Sequence, residues 1–276
     1  MIMKVGFIGL GDQGAPMARA IIEERFELHV WGRRELSVAP FRSAGARIHD
    51  NPISLAAAVD LLSVCVVSGS DVEELLYARG VLGAMRSGAI LVVHTTMGPD
   101  ACRNIASRAA ERGIGFLDAP VSGGAAAAAD RRLLVLVGGD ARVLDLALPV
   151  LRTYGNPVVL LGDVGAGQTC KILNNLLLNT NLAAAQFTLS LAQALGLDRA
   201  RVREVILQGT GRSYALEALD KTLIPGQLAA TLGRKDTALA LDIARPCSSA
   251  LTERVDLMAK LALLGRDDLA GQTGTP

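Results

Sequence analysis

Lys4 to Gly9 (KVGFIG) is a short apolar run that gives way to Gly9-Leu10-Gly11-Asp12-Gln13-Gly14, after which Met17, Ala18, Ile21 and Ile22 recur at helical spacing. A strand, a glycine turn and a helix in that order leave few folds open. The pattern matches a dinucleotide fingerprint in the context it requires. Gly9 permits the tight turn, Gly11 lets backbone N–H groups approach a pyrophosphate, and Gly14 lets the helix pack on the sheet with phosphate at its N-terminus. Leu10, Asp12 and Gln13 fill the turn and belong to the same expected cofactor site.

The second strand, Leu28 to Trp31, ends in Gly32-Arg33-Arg34, where an NAD-selective site would offer a carboxylate to the ribose 2′-hydroxyl. Two guanidinium groups stand there instead. Planar forks suit a 2′-phosphate and keep their charge at all relevant pH values, so the expected cofactor is NADP in preference to NAD.

Asp60 to Val67, Ala89 to His94, Ile114 to Leu117, Leu133 to Val137 and Val158 to Leu161 read as further strands, separated by helical or turn segments. This alternation predicts an α/β domain with a parallel, doubly wound sheet over residues 1–162. Ligands of such sheets sit beyond the carboxyl ends of the strands, which singles out the loops Ser68-Gly69-Ser70, Thr95-Thr96 and Asp118 to Gly124, with Val67 and Ser68 in the expected cofactor site. The threonine hydroxyls either meet the cofactor or cap the helix after Pro99. Ser122-Gly123-Gly124 presents consecutive backbone N–H groups to an anion such as a carboxylate. Ser122 is not an acyl nucleophile, since the sequence is not G-x-S-x-G and no histidine is placed to activate it. His94 reads as a satisfied buried histidine, and His29 and His49 carry no signal.

After Gly162 the strand pattern stops, and residues 163–276 are expected to form an all-α domain. Gly165-Ala166-Gly167 opens a helix to about Leu195, with Gly196 as its C-terminal cap and Asp198 starting the next helix. From Ile172 to Leu197 no residue is charged, so Lys171 stands at the head of an apolar helix, one turn from Asn175 on the same face. A cation and an amide can converge there on one bound molecule. Beyond about Arg266 the chain reads as a frayed tail.

Composition narrows the partner. The net charge is +1, so nothing marks a nucleic-acid footprint. The amides of the long apolar helix argue against a membrane span. Cys65, Cys102, Cys170 and Cys247 are scattered without metal-ligand spacing, which predicts reduced thiols, no metal and a cytoplasmic protein.

Taken together, GFIGLGDQGAPMA at 6–18, TTMGP at 95–99, DAPVSGG at 118–124, GAGQTCKILNN at 165–175 and LGRKD at 232–236 resemble the β-hydroxyacid dehydrogenase family, which includes 3-hydroxyisobutyrate dehydrogenase and the glyoxylate/succinic semialdehyde reductases. The resemblance covers nearly the whole chain. It implies a Rossmann domain joined by a long helix to a helical domain, and hydride exchange between NADP(H) or NAD(H) and a small β-hydroxyacid or the matching semialdehyde or keto acid. It makes Lys171 the general acid/base, assigns Ser122, Gly123, Gly124 and Asn175 to the substrate, and adds Thr96 and Lys235 as cofactor contacts. It also implies a homodimer or homotetramer. Gln13, Leu228, Ala129 and Arg131 depart from the family, which commonly has Met, an aromatic, an acidic residue and glycine there. Two alternatives share the ancestry: an imine reductase, against which Lys171 speaks, and a catalytically silent nucleotide-binding module, which would have lost that lysine.

For Lys171 to serve as a base near neutral pH, its pKa has to fall from about 10.4 towards 8, a differential interaction of roughly 3 kcal/mol that partial burial supplies.

Overall fold

The computed structural model describes residues 3–219 and 226–271. It divides into two compact units, Met1–Lys171 and Ile172–Pro276.

The first unit carries strands β1 (Lys4–Ile8), β2 (Glu27–Trp31), β3 (Arg47–Ile48), β4 (Leu61–Val64), β5 (Ile90–Val93), β6 (Gly115–Asp118), β7 (Val121–Ser122), β8 (Leu133–Gly139) and β9 (Gly155–Gly162). Between them run α1 (Gly14–Glu23), α2 (Glu35–Ser43), α3 (Pro52–Ala58), α4 (Gly69–Glu73), a π-helical turn (Glu74–Ala78), α5 (Val81–Ala84), α6 (Pro99–Ala110), α7 (Gly124–Ala129) and α8 (Ala141–Leu151). The order β3-β2-β1-β4-β5-β6 is parallel throughout. The expected uniformly parallel sheet ends there. β8 runs antiparallel to both β6 and β7, and β9 pairs parallel to β8.

Alternation along the strands explains why helices cover both faces. Val5 and Phe7 of β1, Leu61 of β4, and Ile90 and Val92 of β5 enter one buried cluster with Met17, Ala18 and Ile21 of α1. Ile8, Leu62, Val64, Leu91 and Val93 enter the other with Leu55 of α3 and Cys102 and Ile105 of α6. Successive side chains of a strand point to opposite faces, so near-continuous apolar runs demand cover on both. Each fully buried Leu, Ile or Phe contributes about 1.5–3 kcal/mol to holding that arrangement.

α9 (Ala166–Ala194) starts in the first unit and continues into the second. Its end is a Schellman motif. Leu197 N–H donates to Ala192 O and Gly196 N–H to Gln193 O, with Gly196 at φ +81°. The second unit continues with α10 (Arg199–Gln208), α11 (Tyr214–Ala218), α12 (Gly226–Ala244) and α13 (Ser249–Gly271). Asp198 caps α10 by accepting from Arg201 N–H at 2.7 Å, as its position in the sequence predicts. α13 reaches Gly271, past the point where a frayed tail is expected; residues 272–276 and Pro225 lie outside the described residues, and so does the side chain of Leu228. Ile172, Leu176 and Ala240 form a small buried cluster against Leu239, Ile243, Val255 and Met258.

Candidate active site

The glycine turn after β1 opens into a cleft lined by Gly9, Leu10, Gly11, Arg33, Arg34, Ser37, Val66 and Val67. Gly9 takes φ +105°, and a Cβ on it would lie 2.0 Å from Cys65 O. A Cβ on Gly14 would lie 1.9 Å from Gly9 O. Packing therefore forbids any side chain at these two positions. Gly11 differs: a Cβ there meets nothing within 4 Å. The protein's own packing does not require Gly11, and the open space it faces fits a ligand that comes close to the backbone, as a pyrophosphate does. Asp12 is exposed, and Gln13 occupies the N-cap of α1 without a side-chain cap bond. Arg33 and Arg34 are exposed on the cleft wall, and among the described residues no carboxylate pairs with either.

The loops after β4 and β5 are tied together. Thr95 Oγ1 accepts from Val66 N–H at 2.9 Å and donates to Val66 O at 3.0 Å. Its hydroxyl thus shapes the loop that carries Val67. Ser68 opens α4 through a capping box with Asp71, whose carboxylate accepts from both the Ser68 amide and its hydroxyl. The alternative in which a threonine caps α6 is removed, because Gly98 holds that N-cap without a side-chain bond. Thr96 is half-buried between Thr95 and Met97.

His94 is buried and satisfied, as the sequence predicts. Its Nδ1 donates to Ala119 O at 2.7 Å, which leaves Nε2 to accept from Tyr154 Oη at 3.2 Å. Burial holds its pKa down at about 4, so the ring is neutral near pH 7. His29 and His49, which carry no signal in the sequence, bond to each other at 2.8 Å, and burial lowers the pKa of both. The thiols are unpaired, and burial pushes Cys65 up to about 12.

Asp118 and Gln168 are the residues whose role sequence reasoning missed. Asp118, fully buried at the end of β6, accepts from Gly165 N–H on Oδ1 at 2.6 Å and from Gln168 N–H on Oδ2 at 2.8 Å. Burial raises its pKa, against the pull of these N–H groups and those of Asp118 itself and Gly167. Gln168 is also fully buried. Its Oε1 accepts from Met97 N–H at 3.0 Å and its Nε2 donates to Thr95 O at 2.8 Å. The one sequence cue was a carboxylate at a strand end heading the 118–124 loop; Gln168 offered none.

From this joint Lys171 stands three residues further along α9, half-buried. Ser122 ends β7, while Gly123 and Gly124, at φ +125° and +70°, lead into α7. The second unit holds the remaining predicted residues. Asn175 donates from Nδ2 to Asp236 Oδ2 at 2.8 Å, which links α9 to α12, and Lys235 is half-buried on α12 beside Asp236. Among the described residues no His, Cys, Asp or Glu cluster suits a metal, and no helix is long and apolar enough to cross a membrane.

A family model described as the NAD binding domain of 6-phosphogluconate dehydrogenase matches residues 4–162, and one described as NAD-binding of NADP-dependent 3-hydroxyisobutyrate dehydrogenase matches residues 165–268. The 2-(hydroxymethyl)glutarate dehydrogenase of Eubacterium barkeri is 34% identical over 97% of this chain and 93% of its own. The 2-hydroxy-3-oxopropionate reductase of Escherichia coli is 33% identical over 88% of this chain and 85% of its own. The solved structure of Mycobacterium tuberculosis 3-hydroxyisobutyrate dehydrogenase with L-serine superposes at a TM-score of 0.81, with 26% identity, covering 97% of this chain and 96% of that one.

Proposed function

The chain belongs to the β-hydroxyacid dehydrogenase family, and on that premise we propose that it is an oxidoreductase interconverting a small β-hydroxyacid and its semialdehyde or keto acid with NADP(H). The observation that carries this reading is the contrast among the three glycines of the first turn: packing demands Gly9 and Gly14, whereas Gly11 faces open space in a cleft walled by two arginines.

Gly9 to Gly14 would hold the pyrophosphate at the N-terminus of α1, and Arg33 and Arg34 the 2′-phosphate, which favours NADP over NAD. Val67, Ser68, Thr95, Thr96 and Lys235 complete the cofactor-binding set, with Thr95 acting through the Val66 loop it fixes. When bound, the nicotinamide supplies or accepts the hydride. Lys171 moves the proton. As an ammonium it donates to the substrate oxygen during reduction, and as a free amine it withdraws the proton during oxidation. Ser122 with the backbone of Gly123 and Gly124 grips the substrate carboxylate. Asn175 contacts the substrate with its amide oriented by Asp236.

The protein assembles as a homo-oligomer through its helical unit. Leu173, Leu177 and Leu191 of α9 and Leu195, the residue directly after it, are 52%, 54%, 61% and 71% exposed, and with spacings of four, fourteen and four residues they line one side of the helix and its end. Four unpaired thiols fit a reducing compartment, in keeping with a cytoplasmic location.

The test is a screen of 3-hydroxyisobutyrate, 2-(hydroxymethyl)glutarate, L-serine and 2-hydroxy-3-oxopropionate, with NADP(H) and NAD(H) in parallel, following nicotinamide absorbance. Turnover of at least one acid is expected; none with either cofactor contradicts the reading.

A further inference from the structure

We propose that Asp118 and Gln168 are positioning residues for proton and hydride transfer: one buried joint sets the register of the Thr95–Met97 loop, the 118–124 loop and the helix turn that carries Lys171. The inference rests on the functional reading above and extends it to two residues outside the expected catalytic and binding set.

The joint is built from groups with no freedom to spare. The Gln168 amide spans Thr96, accepting from Met97 N–H and donating to Thr95 O, so the backbone on both sides of Thr96 is held by one side chain. Its own backbone N–H donates to Asp118, so the residue that grips the cofactor loop is itself gripped by the end of β6. Asp118 lies four residues before Ser122 in the loop proposed to hold the substrate carboxylate. Close packing seats the helix turn. A Cβ on Gly167 would lie 2.3 Å from Leu136 O and 2.8 Å from Asp118 Oδ2, and one on Gly138 would lie 2.5 Å from Asp118 Oδ1. α9 therefore neither slides nor rolls against β6 and β8 without breaking buried hydrogen bonds, which are costly to leave unmade.

Lys171 inherits that constraint. On an α-helix each residue turns about 100° and rises about 1.5 Å, so a small roll at Gln168 sweeps the amine of Lys171 sideways by a comparable or larger distance. Catalysis by a proton donor requires hydrogen-bond reach, and a misplacement of about 1 Å can cost about a hundredfold in rate. The hydrophobic core around α9 keeps the helix folded; the polar joint decides where its lysine points.

The experiment compares wild type, Gln168→Ala and Gln168→Glu, using the acid turned over fastest by wild type in the screen. The glutamate keeps an acceptor for Met97 N–H but loses the donor to Thr95 O. The expected result for Gln168→Ala is a kcat lower by at least about tenfold, with cofactor affinity close to wild type, a thermal midpoint lowered by the two buried hydrogen bonds left unmade, and an enlarged primary isotope effect with 4-deuterated cofactor because hydride transfer has become limiting. In the cofactor-free protein the Met97 amide should exchange faster. Gln168→Glu should fall between the two, and it carries the same test if the alanine variant does not fold. A kcat within tenfold of wild type, or a loss of kcat without a change in the isotope effect, overturns the positioning role while leaving the enzyme reading intact. An inactive wild type removes the reading and the inference with it.

Discussion

Thr95 and Val66 hold each other through a two-way hydrogen bond, the threonine hydroxyl accepting from the Val66 amide at 2.9 Å and donating to its carbonyl at 3.0 Å. A buried side chain here does the work of a backbone ladder and joins the two loops that follow β4 and β5. Thr95→Val keeps the shape and deletes both bonds, so it should destabilise the protein by about 2 kcal/mol, while Thr95→Ser should recover most of the loss. Urea unfolding of the three proteins checks this; equal midpoints would show the bonds to be dispensable.

Arg33 and Arg34 stand where a carboxylate would select NAD, and neither is neutralised by an acidic partner among the described residues. Arg33→Asp replaces an attractive charge by a repulsive one. The ratio of kcat/KM for NADP to that for NAD should fall by about 10–100-fold, the equivalent of losing one or two charge-assisted hydrogen bonds. An unchanged ratio would assign the preference to other groups.

His94 links pH to stability. Its folded pKa is held down at about 4 by burial, against about 6.5 in the unfolded chain, so the unfolded state takes up the proton first as pH falls. The contribution of the neutral ring is fully present above pH 6.5 and is lost between there and about pH 4, amounting to roughly 3 kcal/mol. His29 and His49, also lowered, act with the same sign. Denaturant unfolding at pH 7 and pH 4 should show a smaller acid-induced loss for His94→Gln than for wild type; equal losses would mean the ring titrates normally.

Much of this architecture is written locally. The opening strand is expected over Lys4–Gly9 and found over Lys4–Ile8, and Gly196 and Asp198 bound their helices as expected, because strand runs, caps and glycine turns are properties of a few consecutive residues. Two-residue strands such as β3 and β7 carry no periodicity to detect, and the apolar run of β8 reads the same in either direction, so its antiparallel pairing was invisible. The buried joint was illegible for a different reason. Asp118 meets partners 47 and 50 residues away, and Gln168 meets partners 71 and 73 away, so chain folding alone brings them together. Arg131, where the resemblance leads one to expect glycine, does take a left-handed φ of 56°, and its guanidinium pairs with Glu23 and Glu24.

The proton-transfer role of Lys171 is the claim on which the rest depends, and Lys171→Ala tests it most directly when turnover and cofactor binding are measured on the same preparation. The account predicts NADPH affinity close to wild type and kcat lower by about 10²–10⁴-fold. A kcat within a factor of about ten of wild type, well short of what a general acid/base contributes, would contradict it.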